Sequence, residues 1–287
     1  MTKTDANTDA KTVLITGCSS GFGAASARLF AERGWNVVAT MRQPEDGAAL
    51  AALGNVAVER LDVEDPASIE AAVAGAIARF GRIDVLVNNA GFGLFGIFEQ
   101  TPRAKIQQQF DVNLFGLMDV TRAVLPHLRR NRSGVIINVS SGAGVFGLPM
   151  ISLYNASKFA LEGYSESLSY ELAALGIRVK VIEPGGVTST GFGTRTAGEA
   201  GGLTPIADYD RFTAAAIRVF DGLRASRAGA TSEEVAEVIW TAATDGSDRL
   251  RYVATEDIKL LVKARRETSE DAYIAFMRER VGPKLED

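Results

Sequence analysis

Short apolar runs alternate with longer amphipathic stretches along most of the chain. The runs are rich in valine and isoleucine, a composition typical of strands that are buried on both faces of a parallel sheet. The alternation therefore predicts an α/β fold, a doubly wound parallel sheet of about seven strands with helices on both faces. The expected strands are 12–17, 36–41, 55–61, 83–88, 134–140, 177–183 and 251–254, and the expected helices are 22–33, 46–53, 66–80, 103–130, 153–175, 207–225 and 232–243.

Two segments depart from this alternation. The stretch from Thr188 to Pro205 is rich in glycine and has no apolar periodicity, which predicts a long loop. After residue 254, charged residues mix with spaced apolar ones, which predicts helices packed on the body of the protein or on a partner. We therefore expect a polar N-terminal segment at 1–11, one main domain at 12–254 and a helical C-terminal extension at 255–287.

Composition narrows the class of protein. The 287 residues are 46% hydrophobic, which suffices for a buried core, and they carry a net charge of −4 with a pI of about 5.3. Because there is no long basic block, nucleic acid is not an expected partner. The single cysteine, Cys18, excludes an internal disulfide. A polar start and the lack of a long apolar run predict a cytoplasmic protein without a membrane span.

A glycine-rich turn lies between the first predicted strand and the first predicted helix. Gly17, Gly21 and Gly23 have the spacing G-x3-G-x-G. Glycine permits a tight turn and lets the backbone approach a pyrophosphate that sits on the amino terminus of the helix. Three glycines could form only a turn, but the position between a strand and a helix favours a dinucleotide site.

Three side chains with complementary acid–base properties follow the fifth predicted strand. Ser141, Tyr154 and Lys158 have the spacing S-x12-Y-x3-K. On one helix, Tyr154 and Lys158 would share a face, so that the ammonium could lower the phenol pKa from about 10 by roughly 1 to 3 units. The spacing predicts that Tyr154 is a general acid or base, that Lys158 lowers its pKa and that Ser141 holds the substrate oxygen. Tyrosine and lysine also share helix faces by chance.

A second interpretation of the glycine turn gives a different enzyme class. Residues 17–21 also match G-x-S-x-G, the nucleophile elbow of serine hydrolases, with Ser19 as the nucleophile. Such an enzyme needs a histidine later in the chain, and the only histidine is His127, on a predicted helix. His127 has no suitable metal ligands nearby, so we expect it to pack or cap its helix. The hydrolase alternative leaves Tyr154 and Lys158 without a role.

Four motifs, in this order along the chain, resemble those of the short-chain dehydrogenase/reductase family. They are TGCSSGFG at 16–23, NNAG at 88–91, Asn113 in VNLFG, and the set of Ser141, Tyr154 and Lys158. The resemblance covers about residues 12–190. It implies a single-domain Rossmann fold at 12–254 that binds NAD or NADP and moves hydride between the nicotinamide and a carbonyl or alcohol carbon, without a metal. Asn113 would hold a water in the proton relay. A non-catalytic dinucleotide sensor on the same fold is the alternative.

The resemblance also implies where the dinucleotide binds. In the family, an acidic residue at the end of the second strand binds the ribose of NAD, but Met41 and Arg42 stand here. The missing acid and the following guanidinium favour NADP(H), with NAD(H) possible, although Arg42 could be an ordinary solvated residue. Asp62 would bind the adenine amino group, Lys158 the nicotinamide ribose and Ser189 the carboxamide. The implied cofactor-binding residues are Gly17, Ser19, Ser20, Gly21, Phe22, Gly23, Met41, Arg42, Asp62, Val63, Asn89, Ala90, Gly91, Tyr154, Lys158, Pro184, Gly185, Val187 and Ser189.

Apolar residues flank the catalytic motifs. They are Phe92, Leu94, Phe95, Phe146, Leu148, Met150 and Phe192. They predict an apolar pocket for a small-molecule substrate such as a lipophilic or aromatic ketone, although they could instead pack beneath loops. In the resembling family, subunits pair through two long helices, here 103–130 and 153–175, so we expect a homodimer or homotetramer. The small residues of the second helix would permit close approach, but they could equally pack on their own sheet.

Overall fold

Seven parallel strands form one sheet within the residues that the computed structural model describes, which are 10–187, 196, 204, 206–225 and 230–285. The strands are β1 Thr12–Ile15, β2 Asn36–Met41, β3 Val56–Arg60, β4 Val85–Asn88, β5 Gly134–Val139, β6 Ile177–Glu183 and β7 Arg251–Val253. Their order is β3-β2-β1-β4-β5-β6-β7. The strand order therefore reverses between β1 and β4, and ligands of doubly wound sheets bind at the carboxyl ends of strands beside such a reversal.

Helices cover both faces of the sheet. They are α1 Gly21–Glu32, α2 Ala48–Ala51, α3 Pro66–Phe80, α4 Arg103–Phe110, α5 Leu117–Asn131, α6 Ser152–Ala173, α7 Asp210–Ala225, α8 Ser232–Thr244, α9 Lys259–Glu267 and α10 Glu270–Val281. Leu14 packs with residues of α3, α5 and α6, whereas Val13 and Ile15 pack with residues of α1 and α8. Because successive strand residues face opposite ways, a strand covered on both faces must be apolar throughout, which explains the runs in the sequence.

Local sequence determines where two of the surrounding helices begin and end. The side chain of Asp65 accepts a hydrogen bond from the Ser68 N–H at the start of α3, and Pro66 occupies the first helical position. Gly81 ends α3 with a φ of 76°, in the left-handed region that glycine tolerates. A capping box between Thr231 and Glu234 starts α8.

The predicted α/β sheet is confirmed, with differences among its helices, one of which is that the helix expected at 207–225 begins as a 3-10 turn, Ala207–Tyr209. The helix expected at 103–130 is divided, because a π-helical turn, Asp111–Gly116, separates α4 from α5. Apolar periodicity cannot reveal one wider turn within a helix that continues on both sides. The helix expected at 46–53 is a 3-10 turn, Pro44–Gly47, followed by the short α2.

The C-terminal extension packs on the body of the protein. α9 and α10 bury Leu261, Tyr273 and Met277 in one cluster with Val145 and Phe146, which follow β5. The extension therefore covers the loop that leads from Ser141 toward α6. None of the helices in the described ranges is long and apolar enough to cross a membrane.

Parts of the predicted domain organisation fall outside the described ranges. Residues 1–9 of the polar N-terminal segment are not described, and neither is most of the loop expected at 188–205. The boundaries at residues 11 and 254 therefore stay predictions.

Candidate active site

A cleft of about 830 Å³ opens along the carboxyl ends of the strands, at the point where the strand order reverses. It is lined by nearly all of the residues that the sequence indicated as catalytic or cofactor-binding. Gly23 and Asn113 do not line the cleft, and Ser189 lies outside the described residues. The fold thus gathers side chains from six strand ends and from the start of α6 into one place.

The glycine turn after β1 leaves no room for larger residues. A Cβ on Gly23 would lie 2.2 Å from the Gly17 carbonyl oxygen, and Gly17 itself has a φ of +74°. Ser20 precedes α1 and makes no side-chain cap, and no acidic residue lies in the first turn of the helix. The amino end of α1, which carries a partial positive charge, therefore faces the cleft through Ser19 and Ser20.

The NNAG segment after β4 braces the glycine turn. Asn89 donates from Nδ2 to the carbonyls of Thr16 and Gly17 at 2.9 and 3.1 Å. The backbone N–H groups of Asn89 and Ala90 both donate to Thr16 Oγ1 at 3.0 Å. Thr16 was not a predicted site residue, although its place at the end of β1 could have indicated that its hydroxyl meets the end of the neighbouring strand.

The residues after β2 and β3 form the far end of the cleft. Met41 is buried, whereas Arg42 is exposed and has no hydrogen bond or ion pair within the described part of the chain. Asp62 accepts a hydrogen bond from the Glu64 N–H at 3.1 Å and lines the same end. A guanidinium and a carboxylate thus both line this end of the cleft.

Tyr154 lies in the first turn of α6, with part of its side chain open to the cleft. The Ser141 hydroxyl hydrogen-bonds to the phenol, and Ser141 Oγ also accepts from the Ala143 N–H at 3.1 Å. Burial raises the pKa of Tyr154 to about 12, and the bond from Ser141 offsets this only in part. Tyr154 therefore carries its proton at neutral pH.

Lys158 follows Tyr154 by one turn of α6, as the spacing predicted, but its ammonium faces the sheet. Nζ donates to the Val139 carbonyl at 2.8 Å and lies 5.8 Å from the centre of the Tyr154 ring. Burial lowers the pKa of Lys158 to about 8, which the carboxylate of Glu162 partly offsets. Burial has the largest effect on the pKa of Tyr154 here and raises it; the expectation that Lys158 lowers this pKa stays a prediction.

Asn113 lies in the π-helical turn and is buried behind the cleft. Its Oδ1 accepts from the Phe92 N–H at 3.0 Å, and its Nδ2 donates to the Phe92 carbonyl at 2.9 Å and to Ser157 Oγ at 3.1 Å. A Cβ on Gly91 would stand 3.2 Å from Asn113 Oδ1 and 3.8 Å from Lys158 Nζ. Asn113 is therefore near Lys158, and its side-chain amide is hydrogen-bonded to the loop after β4.

The C-terminal extension holds the turn after β6. Gly185 N–H donates to Thr255 Oγ1 at 2.8 Å, and Gly186 N–H donates to Asp257 Oδ2 at 3.2 Å. A Cβ on Gly185 would come within 2.3 Å of Asp257 Oδ1. Neither Thr255 nor Asp257 was predicted as a site residue, because no motif marks a contact that spans 70 residues of sequence.

A second set of bonds fixes the loop that carries Ser141. The Pro184 carbonyl accepts from the Gly142 N–H at 2.8 Å, which joins this loop to the turn after β6. Asn155 donates from Nδ2 to the carbonyls of Ala143 and Phe146 at 2.7 and 2.8 Å. Asn155 thereby ties the loop to the helix that carries Tyr154, a role that sequence analysis did not identify.

The end of the cleft beyond Tyr154 is apolar. Five of the predicted apolar residues line it, whereas Met150 lines a separate depression and Phe192 lies outside the described residues. Further apolar lining residues come from the position just before α6, from α7 and from the C-terminal extension. The apolar lining comprises Phe92, Leu94, Phe95, Phe146, Leu148, Ile151, Ile217, Phe220, Leu223, Ile258 and Leu261. The rings of Phe95 and Phe220 meet edge to face, with centroids 5.1 Å apart.

The residues of the alternative interpretations have other surroundings. Ser19 makes no hydrogen bond to a histidine or carboxylate within the described ranges, and His127 Nδ1 lies 2.6 Å from Arg130 Nη2. Cys18 is buried, donates to the Ile15 carbonyl at 3.3 Å and has a pKa raised by burial to about 12. In the part of the chain that the structure describes, no three histidine, cysteine, aspartate or glutamate side chains come close enough together to hold a metal ion. Cys18 is therefore a small packed residue of the glycine turn.

Known proteins are similar to this chain over most of its length. A family model described as short chain dehydrogenase matches residues 11–200. An uncharacterized oxidoreductase of Schizosaccharomyces pombe is 38% identical over 84% of this chain and all of its own length. The 17-beta-hydroxysteroid dehydrogenase type 1 of Mus musculus is 37% identical over 97% of this chain and 83% of its own. The 3-ketodihydrosphingosine reductase of Bacteroides thetaiotaomicron is 42% identical over 63% of this chain and 65% of its own.

Solved structures share the fold. A short-chain dehydrogenase from Streptomyces avermitilis has a TM-score of 0.78 and 32% identity, covering 94% of this chain and 96% of its own. A metagenomic short-chain oxidoreductase in complex with NADP has a TM-score of 0.65 and 28% identity over 85% of this chain and 96% of its own. A Burkholderia phymatum protein in complex with NAD has a TM-score of 0.76 and 27% identity over 100% and 99%. Of these similar proteins, one is thus found with NADP and another with NAD.

Proposed function

Because this chain belongs to the short-chain dehydrogenase/reductase family of NAD(P)-dependent oxidoreductases, we propose that it reduces a lipophilic or aromatic ketone with NADPH. The proposal rests on one arrangement. A single cleft joins a backbone cradle at the amino end of α1, the phenol of Tyr154 beside Ser141, and an apolar wall. The cradle would bind a nucleotide, the phenol would donate a proton, and the apolar wall would contact a lipophilic substrate.

The cradle suits a dinucleotide. The close approach of Gly17 and Gly23 would let the backbone and the amino end of α1 bind a pyrophosphate. Arg42 would bind the 2'-phosphate that distinguishes NADPH, and Asp62 the adenine. When bound, the dinucleotide supplies the hydride that the carbonyl carbon receives.

Tyr154 and Ser141 would complete the reduction at the carbonyl oxygen. Ser141 would donate a hydrogen bond to that oxygen and hold it beside the phenol. Tyr154, whose raised pKa keeps it protonated, would give its proton to the oxygen, so that the carbonyl becomes an alcohol. Lys158 would bind the nicotinamide ribose through its ammonium, and Asn113 would help to hold a water that returns a proton toward the site.

The lining of the cleft supports a lipophilic substrate. The loops after β4 and β5, α7 and the C-terminal extension contribute aliphatic and aromatic side chains, and few polar groups other than Ser141 and Tyr154 lie at that end. Two relatives are named for a hydroxysteroid and for 3-ketodihydrosphingosine, both molecules with large apolar parts. We therefore expect ketones on an apolar framework to be better substrates than small polar ones.

A panel of carbonyl compounds, followed through the loss of NADPH fluorescence, tests this function. Tyr154→Phe should reduce kcat by about 10² to 10⁴ on any substrate found, because the proton donor is removed. NADPH binding should persist, since the phenol hydroxyl is a minor part of the cofactor site. Tyr170→Phe is a matched control on the same helix, with a side chain 74% exposed. Near wild-type kcat in Tyr154→Phe would refute the role of Tyr154, and NADPH binding without turnover of any compound would favour the dinucleotide sensor.

A further inference from the structure

Charged side chains from four elements meet near Lys158. Glu162 follows Lys158 by one turn of α6 and is 8% exposed, and Glu183 at the end of β6 is fully buried. Arg251 Nε donates to Glu162 Oε2 at 2.9 Å and lies 3.8 Å from Glu183. Arg266 of α9 pairs with Glu183. None of these four residues entered the proposed chemistry.

Three polar atoms of this group have no hydrogen bond of acceptable geometry within the described residues. They are Glu162 Oε1, Glu183 Oε2 and Ser140 Oγ. Glu162 Oε1 and Ser140 Oγ lie 3.3 and 2.5 Å from the position that a Cβ on Gly144 would take, so both atoms face one small space. Buried carboxylate oxygens without donors are costly, and the charge balance around them therefore matters.

Lys158 adds a titratable cation beside this group. The acids are Glu162, Glu166 and Glu183, and the cations are Lys158, Arg251 and Arg266. Because arginine keeps its charge, Lys158 is the cation of this set that can lose its proton. Glu166 is 46% exposed and therefore screened by water, so Glu162 is the buried acid on the helix of Lys158.

We propose that Glu162 is a positioning residue that keeps the Lys158 ammonium charged and thereby keeps the cofactor site competent at alkaline pH. The inference rests on the proposed function, in which Lys158 binds the nicotinamide ribose. Lys158 forms no ion pair within the described part of the chain, and its only hydrogen bond there is to the neutral Val139 carbonyl. The Glu162 carboxylate thus favours the protonated form of Lys158, which the direct contacts of Lys158 do not.

The direction of the effect follows from the pKa shifts of Lys158 and Glu162. Burial lowers the pKa of Lys158 to about 8, and the Glu162 carboxylate raises it again in part. Burial and the neighbouring Glu183 raise the pKa of Glu162, which Ser140 and Arg251 partly offset. Neutralising Glu162 would therefore let the Lys158 proton leave at a lower pH. At acid pH Lys158 is charged whether or not Glu162 is ionised, so the effect belongs to the alkaline side.

The test compares Glu162→Gln with wild type and with Glu166→Gln. Glutamine preserves the size of the side chain and an acceptor for Arg251, and each variant removes one acidic partner of that arginine. NADPH affinity, followed by fluorescence, and kcat/KM for reduction of a ketone from the panel are measured from about pH 6 to about pH 10. We expect the alkaline limb of both profiles to move down by about one pH unit in Glu162→Gln and to stay in place in Glu166→Gln.

Glu162→Asp provides a milder variant. Aspartate keeps the negative charge, but its side chain is one methylene shorter, so the carboxylate lies farther from Lys158. The alkaline limb of the pH profile should therefore move in the same direction by a smaller amount. If Glu162→Gln does not fold, the position of the limb in Glu162→Asp decides alone. If the folded Glu162 variants have their alkaline limbs at the same pH as wild type, the inference is overturned. Failure of the proposed function differs, because Tyr154→Phe would then retain turnover, or Lys158→Met would bind NADPH as tightly as wild type.

Discussion

Arg42 is the residue on which the choice of cofactor should depend. Its guanidinium is exposed at the cleft and has no partner in the described ranges, beside a buried Met41 that offers no carboxylate to a ribose hydroxyl. A charge-assisted phosphate contact contributes roughly 1.5 to 3 kcal/mol, or about 10 to 150 fold. Arg42→Ala should therefore lower kcat/KM with NADPH by about that factor.

The same measurement with NADH is the control for Arg42→Ala. NADH lacks the 2'-phosphate, so kcat/KM with NADH should change little, and the preference of the wild type for NADPH should largely disappear. Equal efficiency of the wild type with both cofactors, or a preference for NADH, would contradict the assignment. A parallel loss with both cofactors would show that Arg42 acts on some shared part of the dinucleotide.

At the scale of single residues, spacing predicted which side chains meet but not how they titrate. Ser141 and Tyr154 are joined by a hydrogen bond, as S-x12-Y-x3-K indicated. The pKa of Tyr154 nevertheless rises, because it depends on how much water the folded cleft leaves around the phenol. Glu162 was missed for a related reason, since the role proposed for it depends on Glu183 and Arg251, which lie on two strands far from its helix in the sequence.

Among the elements, the glycine turn is the one most sensitive to a single methyl group. In Gly23→Ala the new Cβ would stand 2.2 Å from the Gly17 carbonyl oxygen, and the backbone would have to shift. Such overpacking costs about 1 to 3 kcal/mol. We expect the free energy of unfolding to fall by this amount in urea denaturation, together with weaker NADPH binding in a fluorescence titration.

Gly75→Ala is the matched control for the glycine turn. Gly75 lies inside α3, where an added Cβ would come no closer than 3.6 Å to the Glu59 side chain, an ordinary contact. Replacing an interior helical glycine by alanine should stabilise the protein by roughly 0.5 to 1 kcal/mol, without an effect on NADPH binding. If Gly23→Ala had the same stability and NADPH affinity as Gly75→Ala, the tight packing of Gly23 against Gly17 in the glycine turn would be refuted.

Predictability also differed between kinds of element. The strands were predictable because a strand covered on both faces must be apolar along its length, and β1, β2 and β4 are buried throughout. The π-helical turn at Asp111–Gly116 left no trace in the periodicity of the long helix. The contacts of Thr255 and Asp257 with the turn after β6 depend on the final placement of the C-terminal extension, which no local pattern specifies.

For the whole molecule, the exposed surface of α6 is where we expect a second subunit to pack. Phe159 and Tyr170 are 43% and 74% exposed, and their separation of eleven residues brings both to one face of the helix after three turns. Phe115, in the adjoining π-helical turn, is 48% exposed. Isolated exposed aromatic residues are common, but three on adjoining elements are typical of a contact surface. A two-fold axis beside α6 would bury this face against its copy.

We therefore expect a homodimer or a homotetramer at about micromolar concentration. Light scattering after size exclusion should give a mass of two or four times the 30.5 kDa chain. The double variant Phe159→Glu and Tyr170→Glu should shift this mass toward one chain, because pairing would bury like charges against each other. Leu260→Glu, at a 51% exposed position on α9, is the control and should leave the pair intact. A wild-type mass near 30.5 kDa throughout that concentration range would refute pairing through α6.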